Sequence, residues 1–466
     1  MNREEYLEFL KTKEIKSEPV GFEIDRNQLD DRLFEYQKDI IRWSCKRGRA
    51  AVWAGCGMGK TVMALKWAWL VCRHLGEDAT CLILTPVAVA PQFVEEANKF
   101  GIENVRVVES HEDVLPGINV TNYEKLHKFD QSKFGVIVID ESSCLKAYAG
   151  KVKQQIVDFA STINYRLSCS ATPAPNDHVE LGNQAEFLGV MKRKDMLSSF
   201  FTHDSGDTGN WALKGHAKES FWKWVCSWAV CVTRPSDLGY SDEGFVLPPI
   251  HYHEIIVDNG LTFTTLLGQR EAVGLKEQNI AKLETLNEKV DIVKNLIGMS
   301  GDQWIVWCNL NAESSAIAKA VETAVEVTGT DSQAVKEDRL YGFMKGKYKD
   351  LVSKASIAGY GLNLQNCHNM IMFGLSNSFE QIFQATRRCW RFGQTKEVNV
   401  FVITSVAEAG IVRNIERKEK LFNEMIEGMI KYMKDEMQLE VRGAKIERNP
   451  YNPQVEMSIP SWLVSY

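Results

Sequence analysis

Residues 50–61 read "AAVWAGCGMGKT": a short apolar run, three glycines, then Lys60 and Thr61 at the start of a helix-period stretch. A glycine-rich turn between a strand and a helix constrains this chain more than any other feature. It calls for a strand whose C-terminal end faces an anion and a helix whose N-terminus adds its positive dipole. The rest of the first half repeats the same alternation. "TCLILT", "INVT", "VIVID" and "YRLSCS" are apolar runs that end at small or polar residues, with helical patterns such as Thr61 to Leu75 between them. Alternation of this kind predicts an α/β fold with a parallel sheet covered on both faces. A second set runs from "HYHEIIV" at 251 through "QWIVWC", "LVSKAS", "NMIMFG" and "VNVFVIT", so two such lobes are expected in tandem.

Residues 1–176 are assigned to the first lobe and 248–430 to the second, with a C-terminal extension over 431–466. Residues 177–247 read as an insertion, mostly helical and rich in aromatic residues, including Phe200, Phe201, Trp211, Phe221, Trp222, Trp224 and Trp228. The tryptophans recur at helical spacing, which suits core packing. "LPPI" at 247–250 is a stiff connection into the second lobe.

Bulk properties exclude several classes. With 466 residues, a length of about three domains, any lobe can bury a full core. A formal net charge of -6 argues against coating nucleic acid or membrane through overall charge, so any basic surface must be local. Lys192, Arg193, Lys194, Lys214, Lys218 and Lys223 form one candidate track, although such runs are usually solvated faces. The charged N-terminus lacks an apolar signal segment, and "TVMALKWAWLVC" is too short to span a bilayer. Eleven cysteines without a C-x-x-C pair point away from a disulfide framework or a zinc site. A reduced, cytoplasmic protein without a membrane partner is expected.

The glycine loop departs from G-x-x-x-x-G-K-[ST] at Ala54 and fits A-x-x-G-x-G-K-T at every defined position. Backbone N–H groups around Gly57, Met58 and Gly59 can face phosphates, Lys60 can reach the β- and γ-phosphates, and Thr61 can ligate Mg²⁺. Such a site needs a second acidic element, and "VIVIDESS" places Asp140 and Glu141 at the end of a buried strand. Asp140 suits the metal and Glu141 suits a general base for water. Far downstream, "QATRRCWRFGQT" gathers Arg387, Arg388 and Arg391. Guanidiniums this close need anions: nucleic-acid phosphates, nucleotide phosphates or neighbouring carboxylates.

From about residue 33 to 425 the chain resembles the superfamily-two helicases and, within them, the Swi/Snf-type DNA translocases in their compact phage and prophage form. The resemblance is carried by "LFEYQ", the glycine loop, "LILTPVAVAPQFVEE", "VTNYEKL", "DESSCLK", "SATPAPNDHVELGNQAEFL", "VTRPSDLGY…LPP", "SIAGYGLNLQNCHNMIMF" and "QATRRCWRFGQT", in the family's order. It implies two RecA-like lobes with ATP and Mg²⁺ in the cleft between them. Gln37 is then the adenine reader, and Arg388 and Arg391 are arginine fingers. Ser170, Thr172 and Gln384 couple the site to the rest. Thr121, Asn122, Ser353, Lys354 and Asn363 meet nucleic-acid phosphates. Arg387 sits where the family often has Gly or Asp and receives no catalytic role, and Trp390 is read as core. In place of the family's usual DEAH or DEGH stands Asp-Glu-Ser-Ser, so Ser143 replaces a histidine that links ATP to the "SAT" element.

The implied function is an ATP-driven motor on double-stranded DNA. A strand-separating or branch-migrating helicase, which would engage single-stranded DNA, is one alternative. A nucleotide-gated clamp for DNA or a protein, with little turnover, is another.

Overall fold

The computed structural model describes residues 17–86, 89–146, 150–204, 207–257, 263–265, 268–270, 275–358 and 363–442. Part of "SIAGYGLNLQ" (359–362) and most of the C-terminal extension therefore lie outside the described residues.

The first lobe is built on strands β1 (Arg49–Ala54), β2 (Thr80–Thr85), β3 (Val105–Val107), β4 (Gly117–Asn122), β5 (Val136–Asp140) and β6 (Tyr165–Ser170). A hairpin of β7 (Phe201–Asp204) and β8 (Asp207–Leu213) follows, and then β9 (Ala229–Val232). The sheet order is β3-β4-β2-β5-β6-β1-β9, with every pairing parallel. A parallel strand covered on both faces must be apolar throughout, and Val136 to Ile139 of β5 are all fully buried. The switch points of such a sheet lie at the strands' C-terminal ends, where the glycine loop after β1 and the acidic pair after β5 emerge.

The segment 177–247 does not stand apart from this lobe. Helices Arg193–Phe200 and Lys218–Cys226 match its helical reading, while the β7–β8 hairpin and β9 were not legible in it. β9 pairs with β1 in the sheet, and Trp228 beside it packs edge-on against Trp53 of β1 at 5.5 Å between ring centroids. "AVCV" is only four residues long, and nothing in its local pattern separates it from the end of the preceding helix. Trp222, Trp224 and Trp228 are core residues, as their spacing suggested.

The second lobe contains β10 (Ile250–Val257), the short hairpin β11 (Phe263–Thr265) and β12 (Gly268–Arg270), β13 (Trp304–Cys308), β14 (Ala324–Val327), β15 (Asp350–Lys354), β16 (Asn369–Met372) and β17 (Val398–Ser405). Its main sheet runs β10-β17-β16-β13-β15-β14, again wholly parallel. The two lobes are thus tandem RecA-like α/β units. Along β13, Ile305 and Trp307 enter one apolar cluster while Trp304, Val306 and Cys308 enter another, the two-residue period of a strand with both faces covered. The last helix, Ala409–Arg442, leaves the second lobe and returns to the first, where Met425, Met429 and Met433 are fully buried in its core.

Candidate functional site

The glycine loop runs from the end of β1 into the helix Lys60–Leu75. Gly57 and Gly59 take left-handed backbone angles, with φ of 87° and 79°. Both are also crowded: a Cβ on Gly57 would lie 2.9 Å from Phe392 Cβ, and one on Gly59 would lie 2.3 Å from Gln37 Nε2. Glycine is required at both positions on two counts. Gln37 itself is buried. Its amide donates to Met58 O at 3.1 Å, Tyr36 Oη donates to the same carbonyl at 2.9 Å, and Gln37 Oε1 accepts from Phe34 N. Lys60 Nζ donates to Ala54 O at 2.8 Å and to Gly55 O at 3.4 Å, so the ammonium is held at the loop by neutral carbonyls.

The acidic pair closes the other side. Glu141 has a φ of 54°, in the left-handed region that a side-chain-bearing residue rarely adopts. Asp140 Oδ2 accepts from Thr85 Oγ1 at 3.1 Å, and the Asp140 carbonyl accepts from the Tyr123 hydroxyl. Burial pushes both carboxyls up; for Asp140 the adjacent Glu141 charge adds to this, while Lys60 opposes it at both and Arg388 at Glu141. Two residues of the helix Leu181–Leu188 hold the turn behind the pair. Asn183 Nδ2 donates to Leu145 O at 2.8 Å, and Gln184 Nε2 donates to Ser142 O at 2.9 Å. Gln184 Oε1 in turn accepts from Ser168 Oγ of β6, tying the turn to the sheet at 2.6 Å.

The arginines arrive from the second lobe on the helix Phe379–Cys389 and the turn after it. Arg388 is buried and directed by Gln384, whose Oε1 accepts from Nη2 at 2.6 Å and whose backbone carbonyl accepts from Nε at 3.2 Å. Phe392, one residue beyond Arg391, lies directly on Gly57 of the loop. Phe245 from the connection between the lobes sits between Phe34 and Phe392, at 4.9 and 5.1 Å between ring centroids. Arg387 does not face the acidic pair. Its guanidinium lies over the Trp390 ring at 4.3 Å and lines an apolar cavity of about 720 Å³ between the lobes. Trp390 is half-buried and donates its indole N–H to Pro248 O at 2.7 Å.

These residues fit a magnesium nucleotide. Glu141 Oε2, Thr172 Oγ1 and Gln384 Nε2 are buried without a hydrogen-bond partner, around a cleft that gathers Lys60, Asp140 and Arg388. Unmet polar atoms of this density call for a polar occupant. Ser170 Oγ accepts from Thr172 N at 3.0 Å, at the end of β6, the strand paired with that of Asp140.

The phosphate contacts expected for nucleic acid are not brought together as a surface. Ser353 is fully buried and donates its hydroxyl to Val327 O at 2.9 Å, so its side chain is used within the sheet and a phosphate contact there would be made by its backbone. Thr121 and Asn122 are enclosed at the end of β4, where Asn122 caps the next turn by accepting from Lys125 N. Lys354 and Asn363 keep exposed surface. In the basic track, Lys223 pairs with Glu219 at 2.9 Å and Lys214 donates to Ser198 O and Ser199 O.

Thr85, Tyr123, Asn183, Gln184, Lys146 and Glu380 escaped the sequence reading as site residues. All six lie inside stretches that carried the resemblance or beside them; Glu380, Gln384 and Arg388 recur at four-residue steps, the signal of one helix face.

Fold and site together define a two-lobed nucleotide-hydrolysing ATPase core. The family description "Type III restriction enzyme, res subunit" matches residues 30–175, and "Helicase conserved C-terminal domain" matches residues 288–393, one for each lobe. Among relatives, protein p41 of Acyrthosiphon pisum secondary endosymbiont phage 1 is 28% identical over 189 residues, 36% of this chain and 41% of that protein. The DNA 3'-5' translocase XPB2 of Sulfurisphaera tokodaii is 26% identical over 168 residues, 33% of this chain and 36% of that protein. The SWI/SNF-related matrix-associated actin-dependent regulator of chromatin subfamily A-like protein 1 of Drosophila melanogaster is 25% identical over 175 residues, 34% of this chain and 22% of that protein. The chain spans less than half the length of these relatives. The chain carries a helicase-type ATPase core, with one family match in each lobe, and is similar over about a third of its length to translocase and SWI/SNF-related proteins.

Proposed function

We propose that this chain is an ATP-driven motor that translocates along double-stranded DNA in the cytoplasm, with Mg²⁺ as the metal. The observation that carries the reading is that Arg388 of the second lobe lies close enough to Glu141 to act on its charge, while Phe392 of the same segment sits on Gly57 of the glycine loop. Bound magnesium nucleotide would supply the phosphoanhydride whose cleavage drives the cycle. Gly57, Met58, Gly59, Lys60 and Thr61 would hold its phosphates, and Gln37 its base. Thr61 and Asp140 would hold the metal. Glu141 would orient and deprotonate the attacking water, while Arg388 and Arg391 would stabilise charge developing on the transferred phosphoryl group. Because fingers and loop belong to different lobes, each turnover requires the lobes to close, and closure is the motion a motor can use. Ser170, Thr172 and Gln384 would carry that coupling.

The "TPAPN…ELGNQAEFL" continuation supports the duplex reading. It resembles the translocases' element, and here it supplies Asn183 and Gln184 behind the acidic pair. The contacts proposed for DNA are Lys354 and Asn363 by side chain and the Thr121–Asn122 turn by backbone. Such contacts carry little sequence information, so stimulation should not depend on DNA sequence. It should fall with salt, with a log–log slope of about -0.9 per neutralised phosphate. The test is ATP hydrolysis with no nucleic acid, single strands, duplex DNA and RNA, beside displacement of a triplex-forming strand. Duplex DNA should stimulate most, and the third strand should leave without separation of a blunt duplex. Stimulation by single strands or RNA alone, or unwinding of a plain duplex, would favour a strand-separating helicase. Nucleotide-dependent binding with almost no turnover would favour a clamp.

A further inference from the structure

The acidic pair is followed by Ser142 and Ser143, both buried. Three residues on, Lys146 ends the same turn and forms an ion pair with Glu380 of the second lobe. The Glu380 side chain is only 3% exposed, in the first turn of the arginine-bearing helix. A carboxylate suits a helix N-terminus, but burying one is costly without a countercharge. Its countercharge comes from the other lobe.

The pair sits in line with the reaction centre. Glu380, Gln384 and Arg388 occupy one face of the helix at four-residue steps, and all three are buried. At one end of this stripe Glu380 holds Lys146, in the middle Gln384 holds Arg388, and at the other end Arg388 faces Glu141. Glu380 and Arg388 both act electrostatically on Glu141, with opposite sign. A slide of the finger helix along its axis would break the ion pair and misplace Arg388 together.

We infer that the Lys146–Glu380 ion pair is an interlobe latch that registers the finger helix against the acidic pair. Both are positioning residues, since neither touches the reacting atoms. The inference rests on the ATPase reading and not on which nucleic acid stimulates it.

The experiment uses the full-length chain, with steady-state ATPase measured at saturating nucleic acid and melting curves as a check on folding. Glu380→Gln and Lys146→Met should each lower kcat about tenfold, the scale of coupling between residues in direct contact, with KM for ATP changed by less than about twofold. Lys146→Arg keeps the charge and should stay near wild type. The swap Lys146→Glu/Glu380→Lys should recover a substantial part of the activity lost by either single variant. Unchanged kcat in both single variants would overturn the latch. So would a folded swap variant no better than the worse single one. If the swap does not fold, the contrast between Lys146→Arg and Lys146→Met decides, and equal activity of those two overturns the latch. A wild-type protein whose turnover ignores nucleic acid would sink the motor reading instead, leaving the latch to be judged on basal turnover.

Discussion

The two lobes share a sheet type and divide the chemistry unequally. The first has one continuous core that wraps its seven-stranded sheet and takes in Phe379 from the arginine-bearing helix and Phe422, Met425, Met429 and Met433 from the helix after the second sheet. The second is held by two separate clusters, one on each face of six strands. The glycine loop and the acidic pair proposed to hold the metal and activate water both sit in the first lobe. The second contributes the helix Phe379–Cys389 and the turn after it, which carry the arginines proposed as fingers. Binding should therefore be a property of one lobe and hydrolysis a property of the pair.

The strongest way to break that division is to remove the arginines. Arg388→Ala and Arg391→Ala should each cost roughly 10³-fold or more in turnover, about 4 kcal/mol of barrier. Nucleotide binding, measured by fluorescent-nucleotide titration, should survive, because the loop and Lys60 are untouched. Lys60→Ala should do the reverse and weaken binding itself, while Glu141→Gln should bind nucleotide without hydrolysing it. If either arginine variant turns over normally at saturating DNA but binds DNA poorly, these residues belong to a DNA track, and the division between lobes fails.

A smaller effect sharpens the comparison at the seam. Glu180, in the first lobe, is mostly buried beside the returning C-terminal helix; its carboxylate accepts from Asn176 N at 3.1 Å and Asn176 Nδ2 at 2.8 Å. Burial pushes its carboxyl up to about 7, against the opposing pull of Asn176 and then Lys146. A folded-state pKa raised above the ordinary value of 4.5 means that the folded state holds the proton more tightly. The stability this contributes is full below pH 4.5 and is lost as pH rises through about 7. Relative to Glu180→Gln, wild type should lose roughly 2–3 kcal/mol more between these limits, read from denaturant unfolding at a series of pH values. Parallel curves for the two proteins would show that Glu180 keeps its ordinary titration and that the seam is wet.

How much of this was legible in the sequence varies with how local the cause is. "VIVID" and the glycine loop announce themselves because a doubly covered parallel strand must be apolar and a phosphate turn must have glycine. The arginines were found because their spacing resembles a family pattern. β9 was missed because strand identity in a four-residue apolar run is decided by its neighbour β1, far away in sequence. The use of the Ser353 hydroxyl within the sheet was not legible, because a strand-end serine looks the same whether its hydroxyl faces solvent or, as here, Val327 O. Asn183, Gln184 and Glu380 are ordinary helix residues until the fold puts Leu145 O, Ser142 O and Lys146 opposite them.

The smallest predicted effect reverses a usual sign. Gly428 lies inside the long helix Ala409–Arg442, where glycine normally costs about 1 kcal/mol relative to alanine. On helix propensity alone, Gly428→Ala should stabilise the protein. The helix, however, returns to the first lobe at this point, and a Cβ on Gly428 would lie 2.8 Å from Cε2 and Nε1 of Trp222. That indole is fully buried, so it cannot swing aside into solvent. It also packs edge-on against His178, whose Nε2 lies 3.0 Å from Leu421 O of the same returning helix. Displacing the ring therefore disturbs a second contact between the helix and the first lobe. Overpacking of a tight core site costs about 1–3 kcal/mol, which exceeds the propensity gain. Gly428→Ala should thus lower the midpoint of denaturant unfolding, and the tryptophan emission of the folded protein should change with it. A stabilised variant with unchanged emission would mean that the returning helix is not seated on Trp222, and the first lobe's core would then end within its own chain.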